Sequence, residues 1–370
     1  VLGGALAVSI PEYRLPRDVL QRDIENIRSA GVKFCTGVRV GKDIPFDQLL
    51  RDYRAVFMAT GAHKSRKLGI PNEDAAGVLA AMEFLKKVSL GESVELGKRV
   101  GVVGGGNSAV DAARVAVRSS PRPNVVLIYR RTRAEMPAFG EEVEALAEEG
   151  IHFEFLAAPT RVVASRGQLR GLGCVRMQLG EPDSSGRRRP VPVDGSEFVV
   201  ELDTLIVAIG EQPDLGFLHE GHAIRVGANG AVVACNETMT TEIPGVFAGG
   251  DVVTGPNTVV EAMAAGKRAV DMIDKYLQGK PLAADYRVTR PSRYVPPVEL
   301  SEEEVAGSER IAPLCLPVHQ RLNGFAEVTL SVPEELAIRE ARRCLRCDLE
   351  TLDAKRALEE HRLRGERDGR

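Results

Sequence analysis

The stretch Lys98-Arg-Val-Gly-Val-Val-Gly-Gly-Gly-Asn-Ser-Ala-Val-Asp-Ala-Ala-Arg114 decides the fold. Val100 to Val103 are apolar or small and run into Gly104, Gly105 and Gly106. Asn107 and Ser108 follow, then a helical run from Ala109 to Val117. The order is strand, tight glycine turn, helix start. Glycine permits the turn and lets a phosphate approach the backbone. The first helical N–H groups and the helix dipole then face the anion. Gly104-x-Gly106-x-x-Ala109 is the G-x-G-x-x-A variant of the dinucleotide fingerprint.

The surroundings sharpen this reading. Val125-Val-Leu-Ile-Tyr129 is a second parallel strand, ending about 24 residues after Gly106, close to the spacing of the ribose-reading position. That position carries Asp or Glu where NAD is bound. Here it reads Tyr129-Arg130-Arg131-Thr132-Arg133. Guanidinium groups bind a 2′-phosphate that a carboxylate would repel, so Arg130 and Arg131 predict NADP(H). A solvated basic strand end is the competing explanation.

The chain has 370 residues, 44% hydrophobic and 27% charged, enough for two or three domains. A net charge of −3 gives no reason to expect nucleic acid. No apolar run approaches membrane-spanning length, so no membrane partner is expected. Six cysteines in a chain this long make no disulfide framework, which suits a cytoplasmic, reducing compartment. The opening Val1-Leu2-Gly3-Gly4 reads as the middle of a domain, so an N-terminal piece is expected to precede it.

Around the glycine turn, Arg17–Ala30 places Val19, Leu20, Ile24 and Ile27 at helical spacing. Val32–Cys35 reads as a short strand and Phe46–Tyr53 as a short helix. Arg54–Ala59 reads as a buried strand that ends in Thr60-Gly61. Helices are expected over Ala80–Val88 and Glu141–Glu149, a strand over Ile151–Leu156 and a meander over Thr160–Val200. Asp203–Gly210 is another buried strand ending in glycine. Ile243-Pro-Gly-Val-Phe-Ala-Gly-Gly-Asp251, Asn257-Thr258 and a helix Val259–Leu277 then suit a flavin. Asp251 can accept from a ribityl hydroxyl, and the helix start can face the pyrimidine end of the ring. An Asp N-cap before a core helix is the plainer alternative. Pro291, Pro296 and Pro297 mark a linker, Ser301–Glu304 a capped helix start, and Pro333–Arg343 a helix running into Cys344-Leu-Arg-Cys347.

Ile10-Pro-Glu-Tyr-Arg-Leu-Pro16, Ala59-Thr-Gly61, Val103–Asp111, Tyr129-Arg-Arg131, Arg176-Met177 with Gly180–Asp183 and Gly186–Pro190, and Val246–Asp251 together resemble the small subunit of NADPH glutamate synthase. The same module is similar to the flavin half of dihydropyrimidine dehydrogenase. The resemblance covers about residues 1–280. It implies an α/β protein with two glutathione-reductase-type, Rossmann-like dinucleotide-binding domains. The NADP domain is inserted in the FAD domain, and a helical C-terminal extension follows. The expected limits are 1–95 and 241–280 for the FAD domain, 96–240 for the NADP domain and 281–370 for the extension. The family's FAD fingerprint, a strand–GxGxxG–helix, is missing from this chain. By motif position, Gly4 and Arg14 match residues near the flavin and Val40 one near the adenine. Thr60, Gly61, Gly250, Asp251, Asn257, Thr258 and Val259 also match the FAD site. Gly104, Gly105, Gly106, Asn107, Ser108, Ala109, Arg130, Arg131, Ala208, Ile209 and Gly210 match NADP contacts.

The cysteines bear on the electron outlet. A thioredoxin reductase of this shape carries CxxC in its NADP domain, whereas here that domain holds only Cys174 and Cys235, both read as core thiols. Glu340-Ala-Arg-Arg-Cys344-Leu-Arg-Cys347 resembles the family's iron–sulfur segment, at the other end of the chain and incomplete. A [4Fe–4S] cluster needs four ligands, so Cys344 and Cys347 are half a set, or else half a zinc site, a redox pair or plain thiols. The expected activity is that of an NAD(P)H-dependent FAD oxidoreductase subunit. It would pass hydride from NADPH to flavin and single electrons to iron–sulfur centres, an acceptor subunit or a ferredoxin-like protein. A flavin disulfide reductase using Cys344 and Cys347 and a non-catalytic scaffold subunit are the rivals. No side chain is expected to act as acid or base.

Overall fold

The computed structural model describes residues 1–119, 121–183, 186–219, 221–283, 298, 300–306 and 309–344, together with Lys355 and Glu359. They belong to two compact units, Val1–Ala284 with Pro317–Val328, and Asp285–Leu316 with Thr329–Arg370.

The larger unit is built on a parallel sheet of five strands. Their order is Val78–Ala80, Thr204–Val207, Arg99–Val103, Asn124–Tyr129, His152–Phe155. Both faces are covered, which is why the strands read as nearly unbroken apolar runs. Val100, Val102, Leu127 and Ile206 face the helix Asn107–Val117. Their alternates Val103, Ile128, Leu205 and Val207 pack on an antiparallel meander. The meander consists of Ala157–Ser165, Gln168–Pro182 and Arg188–Glu201. The helix is buried from Ala109 to Val117. Four of those positions are alanine, which lets it lie close to the sheet.

A second, two-stranded sheet pairs Val56–Met58 with Val246–Ala248 in parallel. The helix Val259–Leu277 lays Ala265, Ala269 and Met272 against Phe247 and Phe57. Helices Arg17–Ser29, Phe46–Asp52, Ala81–Ser89 and Gly140–Glu148 lie where the periodicity puts them. Only Leu20 and Ile24 of the first are buried; Val19 and Ile27 are exposed. Val32–Cys35, expected as a strand, forms no ladder among the described residues, and Val32 and Phe34 face solvent.

The five-stranded sheet does not keep to the expected limits of 96 and 240. Its outermost strand, Val78–Ala80, precedes residue 96 and pairs with Leu205–Val207. Beyond Gly210 the chain has already crossed over: Leu215, Phe217, Ile224 and Val232 pack with Phe46, Met58 and Val246 of the other half. Three apolar residues beside a helix start carry too little periodicity to be read as a strand. Pro317–Val328 also belongs to the larger unit, where Leu322, Phe325 and Val328 pack against the glycine-turn helix layer.

In the smaller unit the Leu330 N–H donates to the Leu314 carbonyl at 2.7 Å. Ser301 and Glu304 cap one helix reciprocally, as the sequence predicts. The helix Glu334–Arg342 is tied back where Glu340 accepts from the Ile311 N–H at 3.0 Å. Pro291, Pro296, Pro297 and Cys347 lie outside the described residues.

Candidate functional site

In the parallel sheet the order reverses at Arg99–Val103. Asn124–Tyr129 lies on one side of this strand and the late-arriving Thr204–Val207 on the other. A crevice opens at the carboxyl ends of strands at such a reversal, and the glycine turn sits there. Gly104 has φ +149°, and a Cβ on it would overlap the Ala208 carbonyl oxygen. A Cβ on Gly105 would overlap the Tyr129 ring. Two glycines are therefore demanded by the protein's own packing. Gly106 is different: a Cβ there would meet nothing nearer than Pro137 at 4.0 Å. Gly106, Asn107 and Ser108 are the half-buried mouth of the turn, with Gly104, Gly105 and Ala109 buried beneath. Gly106 caps the helix, and its carbonyl accepts from the N–H groups of Ala109 and Val110 at 3.0 and 3.1 Å. This open, dipole-positive cradle fits a pyrophosphate.

The two arginines part company. Arg131 is buried; it donates from Nε to the Arg188 carbonyl at 2.7 Å and pairs with Asp183 at 2.6 Å. Arg130 is exposed and has no ion-pair partner among the described residues. Ala208 is buried and Ile209 is exposed, and Gly210 has φ +112°.

The flavin-side residues gather separately. Gly4 (φ 52°) and Gly250 (φ 71°) each open a short helix in the left-handed region, where glycine is favoured. Asp251 accepts from the Asn257 N–H at 3.2 Å. Burial raises its carboxyl above the ordinary range. Thr258 and Glu261 form a capping box at the start of Val259–Leu277, and Asn257, Thr258 and Val259 are exposed there. Thr60 is exposed and Gly61 has φ +69°. Val40 is half-buried in the core beside Phe46. A cleft of about 830 Å³ is lined by Gly4, Val8, His63, Arg66, Ala80 and Val207. A smaller hollow of about 300 Å³ is lined by Gly250, Asp251, Asn257 and Glu261. Gly4 thus borders one opening and Gly250, Asp251 and Asn257 the other, and the donor types and turns present fit FAD and NADP(H).

Residues outside the motifs stand beside these groups. Glu211 is buried, and burial and then the Asp251 charge raise its carboxyl, while the Ser108 hydroxyl and Arg66 oppose the rise. His63 stands by Gly61. Only the Gly210 turn hints at Glu211, as it follows that turn directly. Arg14, expected near the flavin, places Nη1 2.8 Å from Asp111 and Nη2 3.5 Å from Glu142.

Cys174 is buried, and burial pushes its thiol up to about 12, so it is inert. Cys235 departs from the core reading: it is exposed, and hydrogen bonds from Thr238 and Glu237 lower its thiol. Cys344 is exposed. Among the described residues no group of three His, Cys, Asp or Glu gathers to hold a metal. No described helix is long and apolar enough to cross a membrane.

A nucleotide-fingerprint sheet and a Gly-Gly-Asp helix start in one unit define a two-domain dinucleotide-binding oxidoreductase. The chain belongs to the pyridine nucleotide-disulphide oxidoreductase family, whose signature matches residues 18–266. It is 47% identical over 359 residues to the NADP(+)-dependent formate dehydrogenase subunit beta of Moorella thermoacetica, covering 94% of this chain and 50% of that one. It is 38% identical over 293 residues to the glutamate synthase [NADPH] small chain of Escherichia coli, covering 75% and 62%. The fold is similar to that of Mycobacterium tuberculosis FprA in complex with NADPH (TM-score 0.63, 20% identity, 75% of each chain). The chain thus spans about half the length of the first relative and three-fifths of the second. The resemblance to glutamate synthase small subunits holds. The stronger likeness, to a formate dehydrogenase beta subunit, was not legible in the motifs.

Proposed function

We propose that this chain is the NADPH-oxidising flavoprotein part of a multi-subunit electron-transfer enzyme. The observation that carries this reading is the open glycine cradle at Gly106 sharing one unit with the Gly250-Asp251 helix start, with Glu211 beside both Ser108 and Asp251. Bound FAD would take a hydride from NADPH and release electrons singly. The protein's own part is placement. Gly104–Ala109 hold the pyrophosphate, Ala208-Ile209-Gly210 border the nicotinamide side, and exposed Arg130 meets the 2′-phosphate while Arg131 braces the strand end against Asp183. Gly4, Val40, Thr60, Gly61, Gly250, Asp251 and Asn257–Val259 contribute to the FAD site. The domain roles follow the sheets: a nucleotide part on the five-stranded sheet and a flavin part on the two-stranded sheet. Cys344 and Cys347 supply two ligands of a [4Fe–4S] centre completed elsewhere, leading to an acceptor subunit or a ferredoxin-like protein. A reducing cytoplasm suits the five free thiols among the described residues.

The test is anaerobic stopped-flow of the full-length protein loaded with FAD. Fast bleaching of the flavin band by NADPH and slow bleaching by NADH is expected. Arg130→Ala removes one charge-assisted contact, about 1.5–3 kcal/mol, and weakens NADPH tenfold to over a hundredfold while leaving NADH within twofold. No bleaching by either nucleotide overturns the reading.

A further inference from the structure

The segment Pro11–Arg14, whose Arg14 is expected near the flavin, is tethered to the glycine-turn helix by buried charges. The Tyr13 ring is buried with two guanidinium groups against it, Arg114 at 4.7 Å and Arg118 at 4.4 Å from its centroid. Both cations belong to the glycine-turn helix or its cap. Both pair with the fully buried Glu149 at 2.6 Å, and Arg114 also pairs with Glu142. Next to it Arg14 reaches Asp111, which lies five residues beyond Gly106 on the same helix. From the opposite direction comes Pro317–Val328. Phe325 stacks on Tyr13 with centroids 6.5 Å apart, and the Val328 N–H donates to the Tyr13 carbonyl at 2.9 Å. That segment is pinned to the nucleotide part as well, by Arg321 on Glu148 at 2.6 Å and by Arg122 on the Leu322 carbonyl at 2.9 Å.

Buried charges are a poor way to gain stability, because desolvation offsets the attraction and apolar residues of similar size do as well. What they supply is direction. An apolar seam can slide by a rotamer; a guanidinium fork on a carboxylate has one seating. Gly4, which lines the larger cleft with His63, stands ten residues before Arg14 in the chain, and Gly106 stands about 7.5 Å along the helix axis from Asp111 at 1.5 Å per residue. Rates of bimolecular steps within a site depend steeply on such alignment.

We propose that Tyr13 and Arg14 are positioning residues: clasped by Asp111, Arg114 and Arg118 on one side and by Phe325–Val328 on the other, they set the register of the nucleotide part against the flavin part for hydride transfer. The inference rests on the hydride-transfer reading above. It also gives Pro317–Val328, the returning part of the C-terminal extension, a role in that register.

The experiment compares full-length, FAD-loaded wild type with Arg14→Gln, Asp111→Asn, the double variant and Arg14→Lys. Expected is a fall of tenfold or more in the limiting rate of flavin reduction at saturating NADPH. The calorimetric Kd for NADP+ stays within twofold, the double variant loses no more than either single one, and Arg14→Lys recovers part of the rate. Hydrogen exchange in the protein without nucleotide is expected to quicken together in Asn107–Val117 and Leu322–Val328 of Arg14→Gln. Unchanged limiting rates, or NADP+ affinity falling in step with the rate, overturn the clasp while leaving the function standing. A wild type that NADPH does not reduce removes the function and the clasp with it. If the charge variants do not fold, Phe325→Leu spares the ion pairs and loosens Tyr13; an unchanged limiting rate there overturns the proposal.

Discussion

Glu149→Gln tests the buried charge cluster directly. Arg114 donates three hydrogen bonds to the Glu149 carboxylate and Arg118 two, at 2.6 to 3.2 Å. The side chains of Glu149 and Arg118 are 0% exposed, so water cannot replace what is lost. Glutamine keeps the shape but turns one acceptor into a donor and removes the charge. Two guanidiniums are then left against each other and the Tyr13 ring. Breaking a buried pair in this way costs about 3–5 kcal/mol. At about 2–4 °C per kcal/mol for a unit of this size, the melting temperature falls by about 6–20 °C. Burial opposes the Glu149 charge, but the bonds from Arg118 and Arg114 outweigh it and hold the carboxyl below its ordinary range. A lowered folded pKa gives stability that is full above the unfolded value and is lost as pH falls through the folded one. The deficit of the variant therefore shrinks in acid. The assay is differential scanning fluorimetry of wild type and variant at pH 7.5 and pH 4. A companion variant, Arg114→Met/Arg118→Met/Glu149→Leu, recovers most of the loss because it removes all three charges together. A drop below about 2 °C, or a deficit that grows in acid, refutes the reasoning.

Gly105→Ala drives a methyl group into the Tyr129 ring; it lowers the melting temperature and weakens NADP+ at least tenfold by calorimetry. Thr258→Ala removes the side-chain acceptor of the Glu261 N–H and half of the capping box, costing about 1 kcal/mol, read as a melting shift of about 2–4 °C. Asp111 is raised from 3.8 to about 6, burial outweighing the Arg14 cation, with Glu142 adding to the rise and Arg114 opposing it. The folded state then binds the proton more tightly. Stability relative to Asp111→Asn is greatest below the unfolded value and declines by up to about 3 kcal/mol as pH rises from 4 to 7. A flat difference in melting temperature over that range contradicts the assignment.

Local pattern was enough for the elements that carry the chemistry. Val100–Val103, three glycines and an alanine-rich run can form only a strand, a turn and a helix, because each step rests on nearest-neighbour sterics and on one period of burial. The same holds for Val246–Asp251 and for the helix start at Thr258-Val259. The fold family was therefore legible in Gly104–Ala109 and Val246–Asp251. Short segments were not. Val78–Ala80 is a strand only because Leu205–Val207 offers it an edge, and Val32–Cys35 forms no ladder because no strand lies beside it among the described residues. The crossing at Gly210, well before residue 240, depends on Phe217 finding Phe46, a contact between residues far apart in the chain. Side-chain commitments were equally hidden. Two adjacent arginines look alike in sequence, yet Arg131 is spent on Asp183 and Arg130 is exposed. Nothing local to Arg14 shows that Asp111, ninety-seven residues away, holds it. The sequence by itself determined the class of chemistry, because phosphate and flavin recognition are written in short backbone motifs. Only the tertiary structure decided which charges are used up inside and which remain for a ligand, because burial and pairing are properties of distant segments brought together.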